Sequence, residues 1–149
     1  MAHITERVGV YAELIAEAAL MASGFLGVSK PTTNEYYDLS AIDPLTKEIK
    51  LFQVKTLKRR EDRNSLVLYA KKGDGTPYGP DEQSDYFLGV LIDDGEVPRV
   101  FVMENEEGQK EYWSVEASAD KRWIEIPIAL DRTVLAPEKA DEASDEVTA

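Results

Sequence analysis

The chain of 149 residues contains no cysteine and a single histidine, His3. The first absence excludes disulfide stapling, thiolate metal sites and cysteine nucleophiles. The second excludes zinc centres built from histidine and Ser-His-Asp triads. A long uninterrupted apolar run is also missing. The most apolar stretch, residues 4–26, is broken by Glu6, Arg7, Glu13 and Glu17, which neither a signal peptide nor a membrane span carries in its hydrophobic region. The expectation is a cytoplasmic protein with no membrane partner, whose chemistry rests on carboxylates, amides, lysines and hydroxyls.

What is present is an ordinary globular composition, 43% hydrophobic and 31% charged, enough for one domain to bury its own core. We place that domain at residues 1–136. Residues 137–149 hold mostly Glu, Asp, Ala, Ser and Thr and read as an acidic disordered tail. Net charge is −12, unevenly spread: residues 1–54 carry −3, residues 55–72 carry +5, residues 73–136 carry −10 and the tail −4. A basic island in an acidic chain can hold phosphates at short range, because salt screens the remaining charge over roughly 8 Å.

Helical spacing of Val8, Tyr11, Ile15, Ala18 and Ala22 predicts a helix over residues 5–23, with Thr5 as N-cap and Gly24 as C-terminal cap. Residues 35–41 and 47–56 read as a hairpin turned at Asp43-Pro44, and residues 65–70 as a third strand. Residues 71–80, rich in glycine and proline, read as a loop over the site argued below, and match no phosphate-binding pattern. A short helical turn at 81–85, a strand at 86–92, and further strands at 99–104, 111–116 and 123–128 complete an α+β order. Trp113, Trp123 and Tyr112 are assigned to core or edge packing.

The second hairpin strand carries the chemistry. Its odd positions, Ile49, Leu51, Gln53 and Lys55, share one face, yet both faces are apolar near the middle. An amide and an ammonium on such a face need partners. Asp38 is the candidate. With a four-residue connection it lies opposite Leu51, with a six-residue connection opposite Gln53; in either register it shares the face of Gln53 and Lys55. Oxygen donors suit a hard divalent cation, so Asp38, the Gln53 amide oxygen and the Val54 backbone carbonyl can hold one. Lys55 beside it can position or deprotonate a water that attacks a phosphodiester. Glu13, near Gly9, Ala12 and Ala16, can add a further oxygen, because small neighbours let the helix approach the sheet. Glu17, one turn on, reads as a solvated helix residue.

Glu13 on the helix, Asp38 on one strand and Gln53-Val54-Lys55 on the next resemble the PD-(D/E)XK nuclease superfamily. The Gly9–Glu13 spacing and Tyr37-Asp38 followed by Phe52-Gln53-Val54-Lys55-Thr56 are most similar to Holliday junction resolvase-like members and to group I intron homing endonucleases with Gln-x-Lys. The resemblance spans about residues 6–92 and implies a restriction-endonuclease-like core (helix, three-stranded antiparallel meander, short helix, strand), here with a β-rich C-terminal extension. It implies magnesium- or manganese-dependent hydrolysis of DNA, with Glu13, Asp38 and Gln53 as metal ligands and Lys55 as the catalytic lysine. Tyr37 stands where the family has proline. Gln53 stands where it usually has a carboxylate, which removes one negative charge from the metal site.

Lys58, Arg59, Arg60, Arg63, Lys71 and Lys72 follow this segment and are the candidate phosphate contacts. Three readings result: a metal-dependent DNA endonuclease acting as a homodimer or higher homo-oligomer; a DNA-binding or assembly protein on the same fold with an impaired site; and an acidic module that binds a basic protein partner.

Overall fold

The computed structural model describes residues 3–135, so the acidic tail lies outside the described residues. Helix α1 spans Ile4–Ala22, one residue earlier at each end than expected, and its N-cap is His3 rather than Thr5. The His3 ring accepts from the Thr5 N–H at 3.3 Å. At the other end Gly24, at φ +94°, closes the helix: its N–H bonds to Met21 O and the Phe25 N–H to Leu20 O. This is the paired bonding that a left-handed C-terminal residue permits.

Strands β1 (Leu26–Ser29), β2 (Leu39–Ile42) and β3 (Ile49–Thr56) follow. Then come β4 (Lys58–Arg60), β5 (Ser65–Tyr69), a 3-10 turn at Pro80–Glu82, β6 (Tyr86–Leu91), β7 (Arg99–Glu104), β8 (Glu111–Val115) and β9 (Ile124–Ile126). Short helices α2 (Ala119–Arg122) and α3 (Arg132–Leu135) flank β9. Two sheets form: one of six strands, ordered β1-β2-β3-β6-β7-β9, and one of three, β4-β5-β8. Strands β1, β2 and β3 make an antiparallel meander, and β6 returns parallel to β3. The fold is thus mixed α+β, with helix, meander, short helical turn and strand in the expected order.

One assignment inside that order changes. The meander opens with β1, which sequence reading passed over, and residues 65–70 do not extend it. Strand β5 instead lies at the centre of the small sheet, between β4 and β8. Strand β1 carries weak local signal: Gly27 adopts φ +57° at an irregular register with β2, and a glycine inside a strand often marks such a bulge.

The large sheet separates two cores. On one face α1 packs through Ala12, Ala16, Ala19 and Leu20 against Leu39, Phe52, Val54, Leu88, Val90 and Val100. On the other, Phe87, Phe101 and Met103 meet Leu66, Leu68 and Tyr112 of the small sheet, with Leu57 and Trp123. The helix therefore buries a different arc from the one expected: Val8, Tyr11 and Ala18 are exposed, while Ile15 and Ala22 pack inward. The alanine arc wins because side chains of minimal size let the helix axis come closest to the strands, where dispersion and burial are greatest. Gly9 takes no part in this approach, since a Cβ there would meet open space.

Candidate active site

The β2–β3 register places Leu39 opposite Phe52 and Ile42 opposite Ile49, the longer of the two possible connections, so Asp38 stands opposite Gln53. The Asp38 N–H still bonds to Phe52 O at 2.9 Å, but β2 begins only at Leu39. Where the backbone pairing lapses, the Asp38 side chain takes over: Oδ2 accepts from the Val54 N–H at 2.8 Å and from Gln53 Nε2 at 2.9 Å. Within a strand the N–H and C=O of one residue point to the same edge. The Val54 carbonyl is therefore directed to this same gap beside Asp38.

Glu13 reaches the gap from α1, and its carboxyl and that of Asp38 act on one another. Burial pushes the Glu13 carboxyl above the ordinary range, and the neighbouring Asp38 charge adds to the effect, with Lys30 opposing it. Burial also raises Asp38, against the Val54 N–H, Glu13, Lys55 and Lys30, which favour its charged form. Two crowded, partly desolvated carboxyls thus share a site whose cations, Lys30 and Lys55, offset the cost of burial only in part. Gln53 Oε1 is buried and, among the described residues, has no hydrogen-bond partner, a condition that costs about 1–3 kcal/mol if left unmet.

Lys55 pairs in register with Gly89, one step from the Gln53–Phe87 pair, which places it on the face of the small sheet. Its Nζ donates to Lys71 O at 2.5 Å and lies 5.3 Å from the centroid of the Tyr78 ring. Burial holds the ammonium below its ordinary range, with Asp38 pulling the other way. Lys71 and Tyr78 of this loop thus lie against Lys55, and Lys72–Glu82 (2.5 Å) ties the loop to the turn after it. Gly89 leaves room here: a Cβ would come within 2.8 Å of Met103 Cε and 3.0 Å of Leu57 Cδ2, and those side-chain ends would have to shift.

Sequence reasoning missed Lys30 and Tyr78. Lys30, just past β1, reaches Glu17 Oε2 at 3.9 Å and acts electrostatically on both carboxyls. Its isolation as a cation between Arg7 and Lys47 was the available signal. Glu17 is thus half-buried and paired. Among the six basic candidates, Arg59 is held by Asp93 (Nη2–Oδ2 2.6 Å, Nε–Oδ1 3.0 Å) and by Glu116. Arg60 pairs with Asp62 at 3.3 Å and Lys72 with Glu82. Lys58, Arg63 and Lys71 are exposed and, among the described residues, form no ion pair; Lys71 Nζ lies 5.9 Å from the Tyr69 ring centroid. Trp123 and Tyr112 are buried, and the half-exposed Trp113 carries Arg122 4.4 Å above its ring.

Among the described residues no three His, Asp or Glu side chains cluster as a metal site. Any ion here would depend on two carboxylates, the Gln53 amide and a backbone carbonyl. No helix of the described residues is long and apolar enough to cross a membrane. Neither a protein-family model nor a curated protein matches the chain. Among solved structures it is similar to the bacterial homing endonuclease I-Ssp6803I, with a TM-score of 0.59 and 20% identity, over 76% of this chain and 80% of that one. The chain therefore has the fold of a homing endonuclease.

Proposed function

We propose that the protein is a metal-dependent DNA endonuclease of the PD-(D/E)XK type, with Glu13, Asp38, Gln53 and Lys55 at its reacting centre. The observation that carries this reading is the buried, unpartnered Gln53 Oε1 beside two crowded carboxyls. One hard cation would answer both the orphaned oxygen and the negative charge that Lys30 and Lys55 balance only in part. Glu13, Asp38, Gln53 Oε1 and the Val54 carbonyl would hold magnesium or manganese, which supplies charge stabilisation for a phosphodiester undergoing attack.

The chain's own residues do the rest. Asp38 is fixed through Oδ2 by the Val54 N–H and Gln53, and its second oxygen, Oδ1, would be the one offered to the ion. Lys55, half-buried against the Lys71 carbonyl and the Tyr78 ring, would position the attacking water and, in its neutral form, which burial favours, accept that water's proton. The Lys71 carbonyl keeps Nζ in place. Lys58, Arg63 and Lys71, free of ion pairs, are the phosphate contacts of choice; Arg59, Arg60 and Lys72 are engaged within the protein. Cutting both strands with one site per chain calls for two chains.

The experiment is a nicking assay on supercoiled and branched DNA with magnesium or manganese, comparing the parent with Lys55→Ala. Metal-dependent nicking that the substitution removes supports the reading. Equal rates, or no nicking by the parent, would turn the assignment to a DNA-binding protein on a nuclease fold.

A further inference from the structure

We propose that the exposed apolar stripe of α1 is the contact surface for a second copy of this chain. The helix has two apolar arcs, and the sheet covers only one. On the uncovered side Val10, Tyr11, Leu14, Ala18 and Met21 recur at helical steps of three and four, and Ile4 and Val8 extend the stripe to the N-terminus. Ile4 is 74% exposed, Val10 49%, Tyr11 43%, Leu14 51% and Met21 44%. Leu26, at 47%, continues the surface onto the edge strand β1. A helix on the surface of a globular protein turns polar on its outer side. Here the acidic residues Glu6, Glu13 and Glu17 occupy a narrow arc between the two apolar faces, and Arg7 is the one charge within the stripe.

Three arguments select a second copy as the occupant. The exposed side chains amount to on the order of 600 Å² of apolar surface, at the upper end of what a monomer shows and most of the roughly 800 Å² per partner that a stable interface needs. The stripe is also self-complementary. A two-fold axis across the helix near Ala12 sets Ile4 toward the partner's Met21, Tyr11 toward the partner's Leu14, and Arg7 toward the partner's Ala18, so apolar side chains meet and the single charge faces a small side chain rather than a like charge. Finally, with −12 on each chain, two copies repel wherever charged faces meet, and a nearly uncharged strip is where they can touch. An anionic membrane would face that same charge with only Arg7 to offer, and residues 137–149, which carry −4 and a single large apolar side chain, Val147, cannot cover such a surface.

That two chains serve two strands rests on the nuclease reading; the surface does not. The test is sedimentation equilibrium of the full chain without DNA or metal, at micromolar concentration and two salt levels. The expected result is a dimer that tightens with salt as charge repulsion is screened. Leu14→Glu and Met21→Glu should each weaken it at least about tenfold, while Leu45→Glu, at the 91%-exposed hairpin tip, leaves it unchanged. A parent that stays monomeric, or a Leu14→Glu and a Met21→Glu chain that both associate as tightly as the parent, overturns the proposal. A dimer that does not nick DNA keeps this inference and removes the nuclease reading; a nicking monomer does the reverse.

Discussion

Gln53 gives its side-chain N–H to Asp38 Oδ2 at 2.9 Å and keeps its own oxygen buried without a donor. Among the described residues the pair is half satisfied, and under the proposed function a cation would meet the other half. Gln53→Glu places a full charge where the amide oxygen stands. Coulomb terms of about 1–4 kcal/mol at such a distance predict manganese affinity tighter by one to two orders of magnitude. Calorimetric titration of both forms measures this; absence of binding by either removes the metal site.

Loss of Asp38 or Lys55 should abolish chemistry ahead of structure. Asp38→Asn keeps an acceptor for the Val54 N–H, and Lys55→Ala removes a side chain whose bonds are to a loop carbonyl and a ring. For both, a fall in nicking of at least about 10²-fold is expected, with an unchanged circular-dichroism spectrum. A rate within a few-fold of the parent would exclude these roles.

The basic segment should divide into two behaviours. Replacing Lys58, Arg63 and Lys71 with alanine should weaken DNA binding across sequences and flatten its salt dependence, by up to about 0.9 in slope for each phosphate no longer neutralised. Arg59→Ala should alter that slope little and lower the melting temperature instead, because it unties β4 from Asp93 and Glu116. Fluorescence anisotropy over a salt series, beside thermal melts, separates the two.

The same tie gives a pH signature. Hydrogen bonds from Arg59 hold both Asp93 and Glu116 below their ordinary carboxylate values. Groups whose folded pKa is depressed stabilise the fold above the unfolded value and cease to do so as pH falls through the folded one. The melting-temperature gap between the parent and Arg59→Ala should thus be full at neutral pH, shrink below the ordinary carboxylate values of 4.5 and 3.8, and close in stronger acid. Because all three side chains are more than a third exposed, the gap should be small and should narrow in high salt. A gap independent of pH would assign the effect to packing.

Period-two alternation made the hairpin and its polar face readable: once Asp38, Gln53 and Lys55 fall on one side of paired strands, either register brings them together. Gly24 likewise announced the end of α1. Other features depended on what the chain meets elsewhere. Strand β5 pairs with β8, some fifty residues on, and nothing within Ser65–Tyr69 specifies that partner. The two apolar arcs of α1 recur at the same helical spacing, and only the close approach that alanine allows chooses between them. Tyr78 and Lys30 reach the site by loop folding, for which spacing carries no rule.

Strand β2 stops one residue short of the site, and Asp38 performs with a side chain what a longer strand would do with its backbone. The centre thus lies at the open end of the β2–β3 ladder, whose last pair is Leu39 and Phe52. Completing that ladder would strengthen the sheet and seal the gap, so selection for greater stability at this edge and selection for activity pull in opposite directions. Thermostabilised variants of the chain should therefore accumulate their gains elsewhere, leaving the start of β2 as weak as it is now.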